Sequence, residues 1–492
     1  MNQSCDTAEL APAAVKLAGR PAAPDRGGAA DLPQDPLSGR ASRRQARPGG
    51  RGARLSGTPA LVLLASLIVS LLAASSAPTP LYAIYQRQWG FSPITTTIVF
   101  GVYALAVLAS LLTLGRLSDY AGRRPVLLAA LAVQVASMAV FATAGGVGEL
   151  MIARVIQGLS TGAALGAIGA AMLDIDRERG ALANAMSPGI GSGSGALLSA
   201  LFVQYLPAPT HLIYLALIGV LGLQAAGVAL LRETVTRGRV PAAALVPEVR
   251  LPRSVRGPVL AAAPVLFAVW ALAGLYGALG PALVRALTGS ASVVLGGGGS
   301  LTLLTVTAVS STYLLRRAPA RAVMLAGIAA LVTGVAITLI ALGSGSAALF
   351  FAGTAVSGIG FGSGFQGGIR TVVPAAAPHE RAGLLSLLFT VSYLGMGVPA
   401  VAAGFLAVHG AGLTGAATDY GAALIVLAVL ALAALARTRR GGSATGPIIQ
   451  TGQSSEVIGD EHSGRGGAVG AGAAACGRGR AVLRRGRAHR RD

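Results

Sequence analysis

Cysteine and lysine are almost missing from this chain. The two cysteines, Cys5 and Cys476, lie near its ends. The long stretch between them therefore holds no disulfide, no thiolate metal cluster and no thiol nucleophile. Lysine occurs once, at Lys16, against 38 arginines, a bias that points to a high-GC bacterial gene. Charge is scarce too: 12% of the 492 residues, where soluble domains carry about 25%. No P-loop, no HExxH and no Ser/His/Asp set occurs, and His211 and His409 stand alone at helix ends. Direct use of ATP and the common hydrolytic chemistries are excluded, and no enzyme activity, cofactor or metal is expected.

What is present is apolar. Hydrophobic residues make up 53% of the sequence, in nearly uncharged runs of about 20 residues, long enough to cross ~30 Å of hydrocarbon. The runs fall at 59–78, 92–114, 125–144, 148–173, 181–206, 211–231, 258–280, 289–315, 322–342, 346–369, 382–408 and 418–436. The eighth is interrupted by four glycines, Gly296 to Gly299. Twelve membrane helices are predicted, which makes the chain an all-α membrane protein.

The net charge of +21 invites a nucleic-acid reading, but its distribution argues otherwise. Residues 1–58 contribute +4, residues 437–492 contribute +7, and alternate loops between the runs contribute +9. The charged loops carry Arg116, Arg123 and Arg124, then Arg177 and Arg179, the stretch from Arg232 to Arg256, Arg316 to Arg321, and Arg370 and Arg381. The other loops hold only Arg87 and Arg285. Arginine-rich loops stay in the cytoplasm, so both termini are expected there, in a bacterial inner membrane. The partners expected are the lipid bilayer and a small molecule, with no nucleic acid.

The ends, 1–58 and 437–492, are rich in Ala, Gly, Pro and Arg and read as disordered basic arms. Residues 232–257, with Pro241, Pro247 and Pro252, read as a cytoplasmic linker between six-helix halves at 59–231 and 258–436. The halves repeat. At an offset of 202 residues, Gly158, Gly162 and Gly166 fall on Gly360, Gly364 and Gly368, Glu178-Arg179 on Glu380-Arg381, and Gly193 and Gly195 on Gly395 and Gly397. Two parallel repeats suit a carrier that rocks one half against the other.

Between the second and third runs stands Gly115-Arg-Leu-Ser-Asp119-Tyr-Ala-Gly122-Arg123-Arg124. Glycines here permit a tight turn and close helix approach, and the aspartate suits a helix N-terminus or an arginine. The segment resembles the loop signature of the major facilitator superfamily, G-x-L-x-D-x-x-G-R-[RK], with every position filled. The resemblance implies two pseudo-symmetric six-helix halves and a cytoplasmic latch in which Asp119 faces the start of helix eleven. Arg154, Gln157, Gly158 and Gly162 in the fourth run are similar to the same family's R-x-x-Q-G motif. An arginine inside a membrane helix is costly and is read as functional; the bland alternative is snorkelling to the nearer surface.

The fifth run contains Pro188, Gly189, Gly191, Gly193 and Gly195, small residues that let helices pack closely. It looks like a variant of the glycine-rich helix-five motif of the family's exporters, although Pro188 precedes its glycine instead of following it. Tyr82, Tyr103, Gln134, Asn184, Trp270, Tyr276, Phe361, Gln366 and Tyr393 are candidates to face a central cavity. No Asp or Glu lies in the middle of a run; Glu149 and Asp419 fall near outer ends, where either could pair with Arg154 to carry a coupling proton. The resulting expectation is a monomeric secondary transporter that works by alternating access and exports a small hydrophobic or amphipathic molecule, with proton antiport as the coupling such a carrier would use. The alternatives are an uptake permease of the same fold and a membrane sensor that does not transport.

Overall fold

Twelve helices in the computed structural model are long and apolar enough to cross a membrane. The structure describes residues 55–442, apart from 237, 248, 291, 378 and 379. Most of the two expected arms, with Cys5 and Cys476, lies outside the described residues. The spans are α1 (Thr58–Trp89), α2 (Pro93–Leu114), α3 (Arg123–Thr143), α4 (Val147–Ile175), α5 (Arg177–Tyr205), α6 (Pro209–Ala229), α7 (Arg253–Ala278), α8 (Val294–Leu314), α9 (Ala320–Ser344), α10 (Ala347–Ala375), α11 (Gly383–His409) and α12 (Gly412–Ala433). Their outer faces remain apolar where they meet no protein: Leu223 is 76% exposed, Leu260 67% and Leu430 60%. Helices that are hydrophobic all round belong in lipid.

The buried side chains form two large clusters, one running from Ala60 to Leu231 and one from Val255 to Leu435. These are the two six-helix halves. The chain just before α1 is tied to the chain just after α6, because Leu55 N–H donates to Leu230 O and Arg232 N–H to Leu55 O. Two seams join the halves, α2 against α11 and α5 against α8. Small residues make the second seam close: Thr302 Oγ1 donates to Gly193 O at 3.0 Å, and a side chain at Gly193 would collide with Thr305.

Three elements differ from the sequence expectation. The first helix does not stop at Pro78: Ala77 keeps helical angles and the chain runs on to Trp89. A proline is tolerated in the first turn of a helical segment, where no backbone N–H is needed. The seventh span is likewise followed by a short helix, Gly280–Thr288. Pro78 and Gly280 are related by the same offset of 202, and each begins the second segment of its half's first helix. The eighth span begins at Val294 and winds Val294–Gly299 as a π-helix. Its glycines allow close approach, Gly297 to Pro80 and Gly298 to Ala200.

Candidate functional site

Helix α4 places Arg154 about 10 Å from its start, counting 1.5 Å per residue. The side chain does not snorkel: it is 1% exposed. Its Nε and Nη2 donate to Tyr82 Oη at 3.1 and 2.6 Å. Its Nη1 donates to Ser75 O at 2.8 Å and to Gln157 Oε1 at 2.7 Å. The rings of Tyr82, Tyr103 and Phe141 surround the guanidinium, with centroids 5.8, 5.2 and 5.6 Å from Cζ. Such faces attract a cation.

Proline explains why α1 offers main-chain acceptors. Pro78 has no N–H, so the carbonyl four residues earlier, on Ala74, loses its helical partner. Gln157 Nε2 donates to that oxygen at 3.0 Å. The adjacent Ser75 carbonyl accepts from Arg154, and Ser199 Oγ on α5 donates to Ala77 O. The arginine and glutamine of α4 therefore knit the bent turn of α1 to its own half. Gly158 and Gly162 press α4 onto α2, where a methyl group would meet Tyr103 O at 2.9 Å and Val107 O at 2.7 Å respectively.

No carboxylate neutralises Arg154 among the described residues. Glu149 accepts from Gly145 N–H at the start of α4, and Asp419 is exposed on α12. The pairing of either with Arg154 considered from sequence is absent. Burying an ion unpaired is expensive; here neutral oxygens and π faces stand in for a counter-ion.

Across the seam the second half presents rings. Trp270 of α7 lies 4.9 Å from Tyr393 of α11 and 6.2 and 5.8 Å from Phe361 and Phe365 of α10. Tyr103, Tyr393, Met396 and Val107 form a third buried cluster, with Trp270 and Phe389 packed on it. Tyr103 thus touches both the arginine and the ring cluster. Trp270 Nε1 has no partner there; Gln366 lies against α8, where its Nε2 donates to Thr312 O. Sequence reasoning places Phe365 in a helix-ten segment that could face the cavity but does not single out Ser75. Ser75 acts through its main-chain oxygen, and a main-chain acceptor carries no sequence signal.

Three cavity candidates lie elsewhere. Tyr276 is buried in the second half, bonded to Thr338 at 2.8 Å. Gln134 is wholly buried on α3, and neither amide atom has a partner. Asn184 is exposed on α5, beside Gly169. The helix-five residues serve two contacts: Gly189 and Gly193 meet α8, while Gly191 and Gly195 meet α1.

At the arginine-rich end no latch contact of Asp119 with α11 occurs among the described residues. Asp119 pairs with Arg123 in its own loop, and Arg123 also reaches Ser118 Oγ and Asp174. Gly122 adopts φ of 95°, which favours glycine. Gly115 is helical; its use is close approach, because Gly166 of α4 lies against it. Glu233, at the start of the linker, accepts from the backbone N–H groups of Arg123 and Arg124 at 2.8 and 3.1 Å and so caps α3. The start of α11 is met instead by the linker, through Arg250 N–H and Gly383 O. At the opposite end the halves are drawn together, with Gly101 against Val401, Gly404 against Thr97, and Ser292 Oγ bonded to Gln204 Oε1. A cavity of about 190 Å³ remains there, lined by Tyr82, Gln86, Thr97 and Arg285 among others, below the usual 300–1,000 Å³ of a ligand pocket.

Residues 62–341 match the family model described as Major Facilitator Superfamily. A protein of Rickettsia felis described as an uncharacterized transporter is 37% identical over 114 residues, 22% of this chain and 27% of that relative's length. Among solved structures, a bacterial homologue of the human lysosomal transporter Spinster, inward-facing and unoccupied, aligns with a TM-score of 0.60 at 14% identity, covering 78% of this chain and 96% of that one. The nucleoside transporter NupG aligns with a TM-score of 0.56 at 15% identity, covering 76% of this chain and 99% of that one.

Proposed function

The chain belongs to the Major Facilitator Superfamily, and from that premise we propose that it exports a small amphipathic molecule by alternating access between its two halves. One observation carries the reading: the ring cluster of Trp270, Phe361, Phe365 and Tyr393 lies where α7, α10 and α11 meet Tyr103 of the first half. A solute held there touches both moving bodies, so its binding can bias their arrangement. The arginine-rich end is taken as cytoplasmic. With the opposite end drawn together and Asp119 away from α11, this structure stands for the form that opens inward. The stretch of α5 from Ser187 to Gly195 resembles a variant of the glycine-rich helix-five motif of the family's exporters, and that resemblance favours export as the direction. The nucleoside named for one neighbour is not carried over, because likeness at 15% identity shows the fold alone.

Accumulation assays in whole cells with a fluorescent amphipathic dye test this. Cells expressing the protein should hold less dye when energised and lose the difference when de-energised. Higher accumulation in energised cells would make the protein an importer instead.

A further inference from the structure

We propose that the transported molecule is an aromatic monoanion, its negative group paired with Arg154 and its ring held by Trp270, Phe361, Phe365 and Tyr393. The proposal deepens the transporter reading and rests on it. A guanidinium has five N–H donors. The four bonds to Tyr82, Ser75 and Gln157 leave one hydrogen on Nη2 uncommitted. Every acceptor around it is neutral, so the site keeps a full positive charge while empty. A cationic solute is repelled, a neutral one leaves the charge unbalanced, and one negative charge balances it. With Arg154 the only cation built into this network, a polyanion would be left with excess charge in a low-dielectric place.

The ring half of the ligand is read from the other wall. Three aromatic rings lie around Trp270 there, at centroid distances of 4.9 to 6.2 Å. Edge and face contacts of this kind suit a planar guest. Trp270 Nε1, a donor, is buried and unpartnered. An atom left so is expensive unless something bonds it, and a substituted ring can supply an acceptor for it. Tyr103 spans the gap, since it covers the guanidinium at 5.2 Å and packs in the cluster with Tyr393 and Trp270.

The chain has two tryptophans, so Trp89→Phe leaves Trp270 as sole reporter. The full chain carrying this change, in lipid nanodiscs, would be titrated with p-toluenesulfonate, with neutral p-toluenesulfonamide and with benzyltrimethylammonium, following tryptophan fluorescence. The sulfonate should quench saturably and bind at least about tenfold more tightly than the sulfonamide, and the ammonium should not bind. Arg154→Lys should keep the preference for the anion, and Arg154→Gln should reduce it to the sulfonamide's level. Equal binding of all three probes, tightest binding of the ammonium, or no quenching by any of them overturns the proposal. Should Arg154→Gln not fold, the charge series on the Trp89→Phe chain and on Arg154→Lys still decides. Counterflow of p-toluenesulfonate in proteoliposomes separates the two claims. Anion-selective binding without counterflow refutes transport and leaves the site; counterflow without anion selectivity refutes the site alone.

Discussion

Where α4 carries Arg154, the spatially equivalent position of α10 carries Thr354, and Gln157 corresponds to Ser357, both buried. The scaffolding glycines around them are shared: Gly158 and Gly162 lie against α2, and Gly358 and Gly362 lie against α8. The two halves therefore hold the same helix packing and differ in what it encloses. The first half encloses a cation and the acceptors that satisfy it. The second encloses neutral bonds such as Tyr276 to Thr338, and turns its rings toward the seam. Duplicated architecture sets backbone approach, and a few unduplicated side chains make one half polar and the other aromatic.

The sharpest way to break this comparison is to make the first half like the second. Arg154→Met should cut transport roughly 10–100-fold, the equivalent of one charge-assisted contact of about 1.5–3 kcal/mol. Thermal stability should stay within about 1–2 kcal/mol of the parent, because removing a buried charge offsets lost hydrogen bonds. Full transport by this variant would reduce Arg154 to a packing residue. The reciprocal change, Thr354→Arg, puts a cation in α10 without the tyrosine or glutamine that Arg154 has. It should destabilise by about 2.5–3.5 kcal/mol, read as a lower melting temperature and less monodisperse protein. A variant as stable as the parent would mean that the second half can also host the charge.

Much of this contrast was legible in the sequence, for reasons that can be named. The twelve spans follow from apolar length, and the repeat from charged pairs and glycines in one register. The continuation of α1 past Pro78 was not legible, because proline marks the loss of one hydrogen bond and not whether a neighbouring helix replaces it. Gln157 makes that replacement from 83 residues away. The capping of α3 by Glu233 was hidden likewise: nothing local marks a linker acid as the partner of a loop 110 residues earlier. Gln134 and Gln157 look alike in sequence, and only packing tells that one is bonded and the other is not.

Those two glutamines offer a finer test. Gln157→Leu strands the Ala74 carbonyl and should cost about 1–3 kcal/mol, whereas Gln134→Leu removes two unpartnered atoms and should be neutral or stabilising. Melting curves of the two variants should move apart. A loss at Gln134 equal to that at Gln157 would show that ordered water bonds it. The smallest expected effect is at the loop. Asp119 is half exposed and paired with Arg123 here, so Asp119→Asn should leave this form nearly unchanged and weaken only the alternative in which Asp119 meets α11. A shift of about two- to fivefold toward the inward-opening form corresponds to 0.3–1 kcal/mol at a helix terminus. Cysteine labelling on a background without Cys5 and Cys476 would measure it, and unchanged labelling would remove Asp119 from the latch.

A charge that is fixed in a protein can still be carried through a membrane's electric field. When the open mouth of the carrier changes sides, the bath to which Arg154 is connected changes with it, although the side chain stays bonded to α1. One elementary charge crossing the whole field is worth about 2.3 kcal/mol per 100 mV, and Arg154 senses some fraction of that. An inside-negative voltage therefore draws the unloaded carrier toward its inward-opening form. A carrier loaded with a monoanion has no net charge at the site and is not drawn. Voltage then acts on one leg of the cycle only, returning the empty carrier to the side where an exporter collects its cargo.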